Sequence, residues 1–542
     1  MTEEPGENTP GQETDAPAPS PPARPNVGRA GLIMVVSLLL SRVLGTVRDI
    51  VIAAMFGQDV TTDAYRIAFQ VPDLIFFLVA GGALSSAFIP VFSEYYHTAR
   101  EKDAWHVFGA VTTIMTVAIG GLVLLAWCAA PWLATVVSGG RPEVVPLVTH
   151  MSRIILPGQI AFFIGGLMMG TMYARQVFSV PGLGPNIYNI GIILGAVTLG
   201  HAIQPGIVGA TWGALAGAVV GNLVVPGFVL AKIKAPFKPS FDTRHPGVRK
   251  VFVLMLPVVL GLSLPGVYGI VLQYFATFYP AGVNTAFDQA NRLMFAPLGI
   301  FGQSLALAAF PALSQFKALG QMDMFRDQLS RSMRQVAYLA VPAATVLFAA
   351  PSTVVRLLFE HGKFDAEATA RTASILQLFA IGVVAWCLHP LVMRAYFAVQ
   401  KNTKPILLGT LATAVFLGLC LAVRAAGLPY PWLALSGSLA AIVLVVLLVR
   451  DVRTEIGGLE VRPVVRTLGL CLLCAVPAGL LAWGGDVLLR YAPLAKPVWM
   501  AAACILLLAV AWAYIGLSMA LKMEETEVAR RAMARVSRRK PS

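Results

Sequence analysis

SRVLGTVRDIVIAAMFGQDVTTDAYRIAFQVPDL, residues 41–74, is followed after a short apolar run by GGALSSAFIPVFSEYY, residues 81–96. Together they set Arg42, Arg48, Asp49, Asp63, Arg66 and Asp73 inside or beside segments apolar enough to enter a bilayer. A charge at that depth costs about 2.5–3.5 kcal/mol on insertion scales, so it persists where it faces protein, water or a ligand. The stretch therefore predicts a helical membrane fold and, within it, one wall of a polar site. On a helical wheel Ser37, Ser41, Arg42, Gly45, Arg48 and Asp49 fall within an arc of roughly 140°, with Val43, Leu44, Val47 and Ile50 outside it. Asp63, Arg66, Gln70 and Asp73 share a second face, at offsets of 3, 7 and 10 from Asp63. Asp63 and Arg66 are spaced to pair along their helix.

Working outward, the 542-residue chain is 57% hydrophobic and 13% charged, with a mean hydropathy of +0.74. Apolar runs of about 20 residues, the length that crosses a bilayer as helix, recur from residue 30 to residue 521. Fourteen spans are expected, centred near residues 40, 80, 120, 160, 195, 218, 263, 300, 342, 385, 415, 440, 478 and 509. The fold class is an all-α polytopic membrane protein. The net charge of +14 does not point to nucleic acid, because the cations sit in short clusters between spans. Lys232 to Lys250, Lys317 to Arg334, Lys401 and Lys404, Arg450 to Arg466 and a basic tail at 522–542 fall on one side. Arg141, Arg424, Arg490 and Lys496 are nearly alone on the other, outside the ninth connection. The positive-inside rule then places both termini in the cytoplasm. Residues 1–28, rich in Pro, Glu, Thr and Ala, cannot bury a core and are expected to form a disordered cytoplasmic tail.

An internal duplication is visible. Leu84, Ala87, Pro90, Ser93, Glu94 and Tyr95 recur as Leu305, Ala308, Pro311, Ser314, Gln315 and Phe316, a shift of 221 residues. Ala129, Ala130 and Pro131 recur as Ala349, Ala350 and Pro351, and Pro185 as Pro405, each shifted by 220. An interval of six spans preserves orientation, so two six-helix lobes related by a pseudo-two-fold axis along the membrane normal are expected. They cover 29–235 (spans 1–6) and 236–460 (spans 7–12), with spans 13 and 14 added at 461–521. Pro257 and Pro265 mark span 7 as a bending gate or a fixed kink.

Across the presumed cavity, Asp288, Asn291, Arg292, Gly299 and Gln303 form a stripe on span 8. At the repeat shift Arg42 corresponds to Ser263 and Arg48 to Gly269, so the cationic character belongs to one lobe. Arg42, Arg48 and Arg292 turned toward a shared cavity would make an anion site, since guanidinium forks suit phosphate oxygens. The alternative is that they snorkel at span ends or are neutralised by Asp49, Asp63 and Asp288. The candidate substrate-binding set is Arg42, Arg48, Arg66 and Arg292, supported by Asp49, Asp63, Gln70, Asp73, Asp288 and Asn291. Cys471 and Cys474 form a CxxC without neighbouring His or carboxylate and are expected to pack. No HExxH or Walker motif is present, and no metal or cofactor is expected. Glu360, His361, Asp365 and Glu367 in the connection 356–371 are expected to belong to an amphipathic surface stretch, with acid–base chemistry as the alternative.

SRVLGTVRD (41–49), TDAYRIAFQVPDL (62–74), GGALSSAFIPVFSEY (81–95), NRLMFAPLG (291–299), FEHGKFDAEAT (359–369) and YFAVQKNTKP (396–405) resemble the MurJ/MviN family. Those proteins are bacterial flippases for lipid II, within the multidrug/oligosaccharidyl-lipid/polysaccharide exporter superfamily. The resemblance covers essentially everything after residue 28. It implies a central cationic cavity whose arginines match Arg42, Arg48 and Arg292, an important acid matching Asp63, and a groove for the polyprenyl tail on spans 13 and 14. In this chain Gln70 stands where lysine or arginine is common, Phe76 and Phe77 replace arginines, and Gly81 replaces a glutamate. The expected function is translocation of lipid II from the inner to the outer leaflet of the bacterial cytoplasmic membrane by alternating access. The partners expected are lipid II, membrane lipids and cell-wall synthesis proteins, and the expected state is a monomer. Competing expectations are a related exporter of another polyprenyl-linked saccharide, a cation-coupled drug antiporter, a membrane glycan polymerase, and a scaffold without transport.

Overall fold

The computed structural model describes residues 27–527 except 80–82, 99, 140, 176, 178–179, 261–263 and 402. Most of the expected N-terminal tail, most of the basic C-terminal tail, and Gly81 and Ser263 lie outside the described residues. Among the described residues every element is helical and none is a strand. Among the described residues, nine helices are long and apolar enough to cross a membrane, or eleven counting the two bent pairs, Met322–Ala349 with Pro351–Phe359 (84°) and Ala366–Ala380 with Val383–Ala398 (49°). Fourteen spans were expected on apolar length alone. The three remaining places are the first helix, Val27–Phe56, and two regions divided into shorter helices: Val60–Ala68, Gln70–Val79 and Ala83–His97, then Pro246–Leu260 and Leu264–Ala276.

The duplication reappears in element lengths. Glu101–Cys128, 28 residues, is followed by Ala130–Ser138, nine residues, with proline in its first turn. Met322–Ala349, again 28 residues, is followed by Pro351–Phe359, again nine residues and again with proline at the start. Proline has no N–H to lose in a first turn, so it starts the short helix while ending the long one. Pro90 and Pro311, equivalent under the repeat, each lie inside a helix, Ala83–His97 and Gln303–Ala318.

Packing distributes the helices into lobes. Phe88, Phe92, Trp105, Phe108 and Phe163 form one N-terminal core, and Tyr65, Ile67, Met151, Ile192 and Val208 a second. Phe287, Phe325, Phe379, Trp386 and Phe416 belong to one continuous C-terminal core. Val248, Val251 and Met255 of Pro246–Leu260 join the N-terminal core, whereas Tyr268, Leu272 and Phe275 of Leu264–Ala276 join the C-terminal one. The change from one core to the other thus falls inside span 7, with Pro257 and Pro265 on either side of 261–263.

Close helix contact is made by glycine. A Cβ on Gly191 would lie 2.7 Å from the Gly213 carbonyl oxygen and from the Gly217 Cα, and one on Gly209 2.7 Å from the Gly195 oxygen. Small residues four apart let helices Leu183–Leu194 and Ile207–Val219 approach at backbone distance, the packing that replaces the hydrophobic effect inside lipid. Spans 13 and 14, Val461–Tyr491 and Lys496–Ala520, pack on Met322–Ala349 through Tyr338, Val341, Cys471, Cys474, Ala478 and Tyr514. Both cysteines are buried there as packing residues, as expected.

In the 356–371 connection Arg356 pairs with Glu360 at 3.0 Å, and the Thr369 hydroxyl donates to Glu360 at 2.6 Å. Asp365 accepts from the Ala368 N–H at 2.8 Å as the N-cap of Ala366–Ala380, and Glu367 pairs with Arg371 at 2.6 Å. These three acids are occupied in caps and ion pairs.

Candidate anion site between the lobes

The first helix presents Arg48 and Asp49 on one face, and the Val60–Ala68 helix presents Arg66 toward them. Asp49 is nearly buried, with 3% of its side chain exposed, and three arginines converge on it. Arg48 reaches it at 3.0 Å, Arg292 at 3.1 Å and Arg66 at 3.7 Å. Asp288 forms the second centre, accepting Arg292 at 2.9 Å and Arg66 at 3.0 Å. Arg48 also donates to Asn189 Oδ1 at 3.0 Å. Two of these contacts cross between the lobes in opposite senses: Arg66 of the N-terminal lobe to Asp288, and Arg292 of the C-terminal lobe to Asp49. Three cations against two anions leave the network one positive charge in excess. Charges this deep persist because each is paired.

The network borders a cavity of about 500 Å³ whose lining includes Arg48, Arg66, Gln70, Asp73, Asn291 and Arg292, with Phe76 and Tyr188 among its aromatic residues. Asp73, also on the lining, brings the carboxylates to three and offsets the excess. Arg48, Arg66 and Arg292 are therefore brought together, inside a nearly balanced network instead of as bare cations. Arg42 is not on that lining. Its exposed side chain crosses to the C-terminal lobe and lies against Gly299, where any Cβ would collide with the guanidinium. Gly299 belongs to the π-helical turn Leu298–Gly302, an irregularity that recurs at functional positions in helices.

Asp63 is elsewhere. The expected pair with Arg66 does not form; the fully buried Asp63 carboxylate binds Arg141 at 2.5 Å. It also accepts from the N–H groups of Gly282 at 2.7 Å and Thr285 at 2.8 Å and from the Thr285 hydroxyl at 2.8 Å. Arg141 spends its other donors on the carbonyls of Thr277 (3.0 Å), Tyr279 (2.6 Å) and Pro280 (3.0 Å). Gly282 holds φ +86°, a left-handed conformation suited to glycine, which turns its N–H toward Asp63. Nearby, the Gln58 amide donates to Gln289 at 2.6 Å and to Thr372 at 2.7 Å, and the Lys363 N–H donates to the Ala54 carbonyl at 2.8 Å. These bonds seal the lobes together at one end. Arg141 and Asn189 were not among the expected site residues. Their signals were an arginine on a side otherwise poor in cations and an asparagine inside an apolar run.

A family model described as Lipid II flippase MurJ matches residues 52–501. The chain belongs to the MurJ lipid II flippase family. The matched range begins just beyond Arg42, Arg48 and Asp49. Among MurJ relatives, the lipid II flippase of Burkholderia cenocepacia is 28% identical over 389 residues, covering 70% of this chain and 75% of its own. The probable MurJ of Bdellovibrio bacteriovorus is 27% identical over 519 residues, covering 94% and 97%. A solved MurJ structure, described as the inward closed conformation, aligns with a TM-score of 0.74 at 20% identity over 90% of this chain and 98% of that one. An inward-facing multidrug MATE transporter aligns with a TM-score of 0.65 at 14% identity over 78% of this chain and 98% of that one, a likeness of fold alone.

Proposed function

We infer that this MurJ-family chain translocates lipid II, the polyprenyl-pyrophosphate-linked peptidoglycan precursor, between membrane leaflets by exposing the inter-lobe cavity alternately to each side. The observation that carries this reading is the arginine network: three guanidinium groups held by aspartates beside a cavity between two lobes, where a pyrophosphate has donors in fork geometry to meet. The sealed end, with Asp63 and Arg141, is assigned to the outer side, since the basic connections lie at the other. Both termini are then cytoplasmic, fourteen spans cross the bacterial inner membrane, and the lobes are related by an axis along its normal. Arg48, Arg66 and Arg292 on the cavity lining bind the anionic headgroup, Arg42 joins them from its place against Gly299 outside that lining as the cavity opens, and Asp49 and Asp288 position the guanidinium groups. The polyprenyl tail stays in lipid beside spans 13 and 14. The chain acts as a monomeric transporter, without enzymatic chemistry, beside the cell-wall synthesis proteins that use its product.

The deciding experiment is depletion of the protein in its native bacterium with complementation by Arg42→Ala and Arg292→Ala, scoring lipid II accessible at the outer face. Loss of exposure is expected for both. Full restoration by both would overturn the anion-site reading.

A further inference from the structure

Among the described residues, fifteen buried side-chain nitrogen and oxygen atoms have no hydrogen-bond partner. Five of them belong to three residues on the inter-lobe cavity: Arg66 Nε and Nη2, both amide atoms of Gln70, and Asn291 Oδ1. Buried polar atoms are almost always paired in native proteins, so a concentration of unpaired ones around a cavity marks the place of an absent partner. Gln70 is 6% exposed, and both its donor and its acceptor are unmatched, whichever way round the amide is placed. Gln70 and Asn291 are also equivalent under the internal duplication, 221 residues apart, one in each lobe.

Arginine and amide ask for different ligands. The Arg66 N–H groups that lack a hydrogen bond, one of them on the nitrogen 3.7 Å from Asp49, would be satisfied by phosphate oxygens. Phosphate brings acceptors only, and it leaves the carbonyl oxygen of a carboxamide unpaired. A group carrying both an N–H and a C=O bonds a carboxamide reciprocally, through two points, without adding charge. We propose that Gln70 and Asn291 form a subsite for an uncharged amide of the headgroup, an acetamido group on its sugar or a bond of its peptide, adjoining the arginines that take the pyrophosphate. The proposal rests on the flippase reading and gives the same cavity two chemically separate halves.

The test uses the full-length protein in nanodiscs with three probes: undecaprenyl pyrophosphate, the same lipid bearing one N-acetyl sugar, and lipid II. Gln70→Met and Asn291→Leu should each lower lipid II affinity about tenfold, as when a hydrogen-bonded ligand group loses its partner. Affinity for undecaprenyl pyrophosphate should stay within about twofold, whereas Arg292→Ala should weaken all three probes. An equal loss with the sugar lipid identifies the acetamido group; a loss confined to lipid II identifies the peptide. Unliganded Gln70→Met should also melt no lower than the parent, because it removes unpaired buried atoms, whereas a structural hydrogen bond at Gln70 would make it melt lower. Lipid II binding unchanged in both variants, or an equal fall for lipid II and undecaprenyl pyrophosphate, overturns the subsite alone. Failure of the parent to bind lipid II overturns the flippase reading with it.

Discussion

Asp63 accepts four hydrogen bonds in a space closed to water, one from Arg141, two from backbone N–H groups and one from a hydroxyl. Removing one member of a buried ion pair costs about 3–5 kcal/mol, since the other charge is left uncompensated. Arg141→Gln should therefore lower the thermal unfolding midpoint sharply, and adding Asp63→Asn to that variant should restore part of the loss. If the two substitutions proved additive in melting experiments, the pair would not be an energetic unit. The face carrying Asp63, Arg66, Gln70 and Asp73 was legible from spacing, because three of the four line the cavity. The partner of Asp63 was not, since Arg141 lies 78 residues away and no helical periodicity reaches so far. A local arrangement three residues apart suggested Arg66 instead, and tertiary geometry overrode it.

At the scale of elements, the interface between Leu183–Leu194 and Ile207–Val219 depends on backbones meeting where a side chain would stand. Gly213→Val would drive its Cβ into the Gly191 carbonyl and the Gly195 Cα. Little folded protein should then accumulate, measured as monodisperse material after detergent extraction. Gly120→Val, at a position with open space around it, should accumulate like the parent. The duplication was readable from prolines and alanines at a fixed shift, because proline marks helix starts and kinks wherever it stands. The change of core inside span 7 was hidden, for both halves are apolar enough to read as one span and it is their neighbours that separate them.

For the whole molecule, the crossed pairs Arg66 to Asp288 and Arg292 to Asp49 tie lobe to lobe with the same guanidinium groups that a pyrophosphate would claim. Under the proposed function a bound anion and the inter-lobe tie would compete, and when the anion left, the aspartates would retake the arginines. An empty carrier can then reset without exposing bare cations to lipid. Asp288→Asn should consequently slow repeated turnover in proteoliposomes by at least several-fold more than it slows a single transfer of preloaded lipid II. Equal effects on both would exclude a resetting role. The architecture of lobes followed from hydropathy and repetition, but which end is closed depends on contacts such as Gln58 with Gln289, between residues 231 apart.

Spans 13 and 14 have a simpler mechanical meaning. The bonds that hold them run to one neighbourhood: Tyr338 to Ser518, Arg334 to Glu524 and Glu525, Thr353 to Asp486 and Ser352 to Arg490. Each of these anchors lies on the C-terminal lobe. Should the lobes rock, the pair would travel with that lobe as a keel moves with its hull, and under the proposed path a lipid tail resting against it would be towed by one half of the machine while the headgroup is handed between both.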